Sequence, residues 1–147
     1  MTLQNWLNNG WLREHVANGQ EVRDLLQKID RDIADAAITE VSLDWRLTMA
    51  DFAGIGCATT ALRVCGYRIP GGAGNHQRTI QSLRYTLNPD KDIIISLEAI
   101  SKKRSIVNYD TAGTITEAEL NEAISLAKEL RELLYHWLRG THPKFTL

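Results

Sequence analysis

Ala50-Asp51-Phe52-Ala53-Gly54-Ile55-Gly56-Cys57-Ala58 is the stretch on which the fold turns. It sits inside a proline-free segment from Leu43 to about Cys65, with Ser42 placed to cap its first amides and Gly66 where a left-handed residue would end a helix. Small side chains lower helix propensity but let neighbouring backbones approach closely. The segment therefore reads as the central, most buried helix of an all-α protein.

The sequence on either side supplies helices to pack against it. From Gln20 to about Ala37, Val22, Leu25, Leu26, Ile29 and Ile33 recur at three- and four-residue steps, the mark of an amphipathic helix. A second helix, about Asp92 to Asp110, carries Ile93, Leu97, Ile100 and Val107 on one stripe. Thr116-x-x-Glu119 is a capping box that opens a last helix through Leu120, Ile124, Ala127, Leu130, Leu134 and Leu138 to Gly140. Thr2 caps a short first helix with Trp6 and Leu7, and Asn75 is placed to cap another from His76 to Leu87. The three prolines, at 70, 89 and 143, fall where these patterns have ended, and no strand-like alternation competes. The expectation is an antiparallel bundle of four main helices plus short extra helices, one domain over residues 1–147 with its core at about 20–140.

Charge and cysteine usage narrow the function classes. With 17 Lys and Arg against 18 Asp and Glu, the net charge of -1 argues against coating DNA by bulk electrostatics. Local basic patches remain at Lys102-Lys103-Arg104, at Arg63 with Arg68, and at Arg78 with Arg84. Cys57 and Cys65 share a helix and lie roughly 12 Å apart along it, too far to bond. Neither they nor the histidines show a metal-ligand spacing, so reduced thiols and no metal or cofactor are expected. The amino end lacks a signal-peptide pattern and no apolar run approaches a membrane span, which points to a cytoplasmic protein without a membrane partner.

One position breaks the helical rule. On the Asp92–Asp110 segment the apolar stripe steps 93, 97, 100, reaches Arg104, and resumes at 107; four residues on, the same face carries Asn108. A guanidinium aimed at a core costs several kcal/mol unless it is paired or opens onto a groove. Asp51 or Asp44 of the central helix could pair with it, and a bound anion or a second subunit could also meet it.

Around this position the chain resembles a family. Lys103-Arg104-Ser105-Ile106-Val107-Asn108-Tyr109-Asp110 is similar to the late-helix motif of HEPN domains (higher eukaryotes and prokaryotes nucleotide-binding), in the branch with a Lys-Arg start and Tyr where other members have His. Asp44-Trp45-Arg46, Gly66-Tyr67-Arg68, the Gly-rich run from Gly71 to His76 and Arg78-Thr79-Ile80 follow in the order seen in that branch, so the resemblance covers about residues 20 to 140. It implies a helical, homodimeric domain associated with RNA or a nucleotide, partnered by an antitoxin protein, with metal-independent endoribonuclease ancestry. Under it Arg104, Tyr109 and Asn108 are the candidate catalytic residues, and Arg68, His76, Lys103, Asp110 and Asp51 the candidate ligand-binding ones. Tyr109 changes the chemistry, because a phenol with a pKa near 10 is a poor base at neutral pH. His76, opening a helix after the glycines, becomes the nearby group able to supply base chemistry. A non-catalytic homodimeric scaffold is the competing reading. His15, His136 and His142 read as solvated or capping residues, and Trp6, Trp11, Trp45 and Trp137 as packing anchors rather than base-stacking platforms.

Overall fold

A computed structural model describes residues 1–71, 75–109 and 113–145, with Tyr109 defined in its backbone only. Six α-helices dominate: α1 (Leu3–Asn8), α2 (Gly19–Ala36), α3 (Leu43–Val64), α4 (Asn75–Gln81), α5 (Lys91–Tyr109) and α6 (Glu117–Thr141). Short 3-10 turns follow α4 at Ser82–Tyr85 and α6 at Pro143–Phe145. No described helix is long and apolar enough to cross a membrane.

The helix ends follow local chemistry. Thr2, Ser42 and Thr116 accept the amides of Asn5, Trp45 and Glu119, and Glu119 bonds back to the Thr116 amide to complete the capping box. Cys65 closes α3, and Gly66 follows at φ +96, a left-handed conformation that would strain any residue with a Cβ.

As its small residues predict, α3 lies at the centre, packed against α2, α4, α5 and α6. A Cβ on Gly54 would stand 2.8 Å from Leu97 Cδ1 of α5 and 3.6 Å from Leu130 Cδ1 of α6. On another side of α3, Ile29 of α2 comes within 3.1 Å of where a Gly56 Cβ would be. Around this spine Val22, Leu26, Leu97, Leu130, Leu134 and Leu138 are fully buried. Both thiols are free, and burial pushes Cys57 up to about 12.

Four sequence expectations change. Arg13–Glu14 and Tyr67–Arg68 form a two-residue antiparallel ladder, in register Arg13 to Arg68 and Glu14 to Tyr67, which is too short to leave an alternating pattern. The helix expected from His76 to Leu87 stops at Gln81, and Asn75 is its first residue. Thr79 and Ser82 hydroxyls bond back to the carbonyls of Asn75 and Thr79, and the chain tightens into a 3-10 turn before Asn88 at φ +49. Gly140 lies inside α6, which continues to Thr141. Trp45 is no packing anchor. It is 61% exposed in the first turn of α3, while 47, 50, 54 and 58 face inward.

Glu21 fastens the amino-terminal segment to the helical body. Its carboxylate accepts from His15 Nε2 at 2.8 Å and from Arg63 Nη1 of α3 at 2.6 Å. Burial raises its pKa, but the His15 and Arg63 hydrogen bonds outweigh that and hold it below the ordinary 4.5. A depressed carboxyl gives stability that is present above its unfolded value and lost as pH falls through the folded one. Glu21→Gln is expected to lower stability at neutral pH and to flatten the acid limb below pH 4.5 in a denaturation series; an unchanged limb would show that the contact adds nothing. Gly54→Val should cost about 1–3 kcal/mol by overpacking against Leu97, read by urea unfolding. A neutral result would mean that α5 can step back freely.

Candidate functional site

Arg104 is the polar residue that breaks the α5 stripe, and it points inward as the period requires. It is 7% exposed, and its Nε donates to Asp51 Oδ2 at 2.5 Å, while Asp51 itself is wholly buried in α3. The other carboxylate oxygen accepts from Ser101 Oγ at 2.5 Å, one turn before Arg104 on α5. Burial lifts the Asp51 carboxyl above the ordinary 3.8, against the pull of the Ser101 and Arg104 hydrogen bonds. A guanidinium in direct contact keeps the pair ionic in spite of that lift.

Beyond the ion pair the guanidinium reaches a surface. Its Nη2 lies 3.3 Å from His76 Nδ1, near the start of α4. Arginine has only donors, so this contact requires an unprotonated Nδ1 and places the neutral ring's proton on Nε2. Phe52 packs under both groups, its ring 5.2 Å from Arg104 Cζ and 6.2 Å from the imidazole in an edge arrangement. A cleft of about 360 Å3 opens here, lined by His76, Gln77, Glu98, Ser101, Lys102 and Arg104 among others.

The remaining sequence candidates sit elsewhere. Asn108 exchanges hydrogen bonds with Thr48 of α3, its Nδ2 3.2 Å from Thr48 Oγ1, and does not line the cleft. Lys103 turns away from the cleft toward α6, 3.7 Å from Glu119. Arg68 lies in the small ladder and lines a separate recess with Arg63, Asn75 and Thr79. Asp44 is not the partner of Arg104; its Oδ2 accepts the Gly113 amide at 3.0 Å. Asp110 and the side chain of Tyr109 lie outside the described residues.

Sequence reasoning missed three contributors. Ser101 precedes Arg104 by one helical turn, so the same-face rule could have found it. Phe52 follows Asp51 directly. Glu98 is two turns before Ser105 on α5; its Oε1 is buried without a hydrogen-bond partner among the described residues, and no sequence signal marks it. No group of three or more His, Cys, Asp or Glu able to hold a metal is present among the described residues.

Comparison with protein families, curated proteins and solved structures gives no match. The site must be read from its own geometry.

That geometry offers a guanidinium anchored from behind, an imidazole whose Nδ1 meets it, and hydroxyl and ammonium groups on a concave surface that also holds the Glu98 carboxylate. Such a set can hold an oxyanion and exchange a proton beside it. Removing Asp51 would leave the buried cation uncompensated. Asp51→Asn is accordingly expected to lower stability by about 3–5 kcal/mol in chemical denaturation. A loss below about 1 kcal/mol would mean that Arg104 swings out into the cleft and needs no buried partner.

Proposed function

We propose that this chain is a HEPN-like, RNA-associated protein that grips a ribose-phosphate backbone in the Arg104–His76 cleft, acting as one half of a toxin-antitoxin or stress-response pair. One observation carries the reading: Arg104 and His76, far apart in sequence, meet at 3.3 Å on a concave surface. The late-helix motif to which Arg104 belongs supplies the family context, including a homodimeric arrangement of four-helix bundles and an antitoxin partner.

The chemistry that follows needs no metal. A phosphate is a charged acceptor and displaces the neutral imidazole from the Arg104 Nη edge, because charge-assisted hydrogen bonds are roughly twice as strong as neutral ones. His76 Nδ1 is then free to accept a proton. In cleavage it takes the proton of the ribose 2′-hydroxyl, the 2′ oxygen bonds to phosphorus, and the bond to the 5′ oxygen breaks. The leaving oxygen takes a proton from water, and the products are a 2′,3′-cyclic phosphate and a 5′-hydroxyl. Arg104 steadies the charge on the phosphoryl oxygens throughout.

A second reading has its own support. Arg104 is already satisfied by Asp51, and Asn108 by Thr48, so the motif also serves to bolt α5 to α3. On that reading the protein is a non-catalytic, homodimeric scaffold.

Purified protein incubated with total RNA and a chelator should yield 2′,3′-cyclic ends. Arg104→Ala should abolish them, with helicity followed in parallel because the change opens a buried pair. His76→Ala, an exposed position, should fold normally and slow cleavage by about 100-fold or more. RNA that stays intact and unbound across a range of ionic strengths would put the scaffold in its place.

A further inference from the structure

The cleft at Arg104 does not end at Gln77. The same side chain lines a second cleft of about 510 Å3, formed by α1 and the segment that follows it, α4, and the 3-10 turn after α4. Its aromatic wall is ordered by edge-on contacts: Trp6 lies 5.7 Å from Trp11 and 5.5 Å from Tyr85, with interplanar angles of 71° and 75°. The Arg78 guanidinium covers the Trp11 ring at 4.6 Å. Arg84 stands beside it, held by Gln81, and no Asp or Glu lines this cleft.

Trp6 is the buried part of that wall. It is 5% exposed, and its indole Nε1 is shut off from water with no hydrogen-bond partner among the described residues. A buried donor without an acceptor is costly and uncommon. The atom is closed to the cleft as it is to solvent, so Trp6 backs Trp11 and Tyr85, which face a cleft large enough for a heterocycle.

We propose that this second cleft is a nucleobase-binding site. The base stacks on Trp11 with the Arg78 guanidinium, as arginine and indole both present flat faces to a ring. The Gln77 and Gln81 amides, both in the lining, offer donors and acceptors to its edge. Arg84 meets the attached phosphate. A free nucleotide and one unit of an RNA strand share this chemistry. The strand version rests on the RNA reading above, since Gln77 would then link the base site to the Arg104–His76 cleft.

Two of the four tryptophans stand in this site, so nucleotide entry can be read directly from fluorescence. Adenosine 5′-monophosphate is expected to quench the emission, and ribose 5-phosphate, which lacks the base, to leave it unchanged. Arg78→Ala, at an exposed position, should weaken binding roughly tenfold. His76→Ala should spare the mononucleotide quenching. A single-stranded RNA of about ten nucleotides that binds more tightly than the monomer, and loses that advantage in His76→Ala, identifies the strand; equal binding in both proteins identifies the free nucleotide. Absence of quenching by the nucleotide, or equal quenching by ribose 5-phosphate, would overturn the base site whatever the RNA results show. Loss of RNA cleavage alone would leave it standing.

Discussion

The structure depends on how closely α5 lies against α3. At Gly54 a Cβ would stand 2.8 Å from a Leu97 methyl, and that proximity goes with the register of the polar contacts between the two helices. One turn before Gly54 stands Asp51, and two turns after Leu97 stands Arg104, so the helices run in opposite directions and the two charges meet. The next step along the same seam joins Thr48 to Asn108. A larger side chain at position 54 would push α5 outward and stretch an ion pair whose value depends on short, dry contact. Small residues and buried charge are therefore one device here. The glycine supplies the distance at which the carboxylate can neutralise the guanidinium.

The same geometry divides a basic run that looks continuous in sequence. Consecutive residues on a helix point about 100° apart, so Lys102, Lys103 and Arg104 go to different places. Lys102 and Arg104 line the cleft with His76. Lys103 faces α6, in a groove whose wall also holds Glu119, Glu122 and Glu129. A chain with nearly balanced charge thus shifts it by face, more acidic along the α5–α6 groove and richer in cations around α4, where Glu98 is the acid beside Lys102 and Arg104. Net charge alone argued against a bulk nucleic-acid coat; it was silent about a patch of this kind.

Much of the fold was legible because its signals are local. Capping at Thr2, Ser42 and Thr116, the turn at Gly66, the stripe on α2 and the small-residue character of α3 each arise within a few residues of chain. Arg104 was legible as a violation of period, and Asp51 as one of two acids that could answer it. What could not be read was the choice between Asp51 and Asp44, which needs the helix register, and the outward turn of Trp45, which needs the face that α3 presents to its neighbours. The aromatic cleft was further out of reach. It combines residues 6 and 11 with residues 77 to 85, and no motif links those stretches in the sequence. Reading all four tryptophans as equivalent anchors missed that Trp6 is buried with its donor unanswered while Trp11 keeps a face for a guanidinium.

The way Arg104 is held also limits what it can do. With Nε committed to a buried carboxylate, the guanidinium cannot turn its full fork to a ligand, and its Nη edge is what remains for the cleft. That edge is rigid, since Asp51 is itself pinned by Ser101 and by the α3 core. A rigid donor loses little freedom on binding an anion, which favours a phosphate over a flexible competitor. The cost falls on selectivity, because one edge and one imidazole cannot tell one phosphate ester from another. Discrimination has to come from the surface beside them, and on this molecule the adjoining surface with stacking faces and amide groups is the one across Gln77.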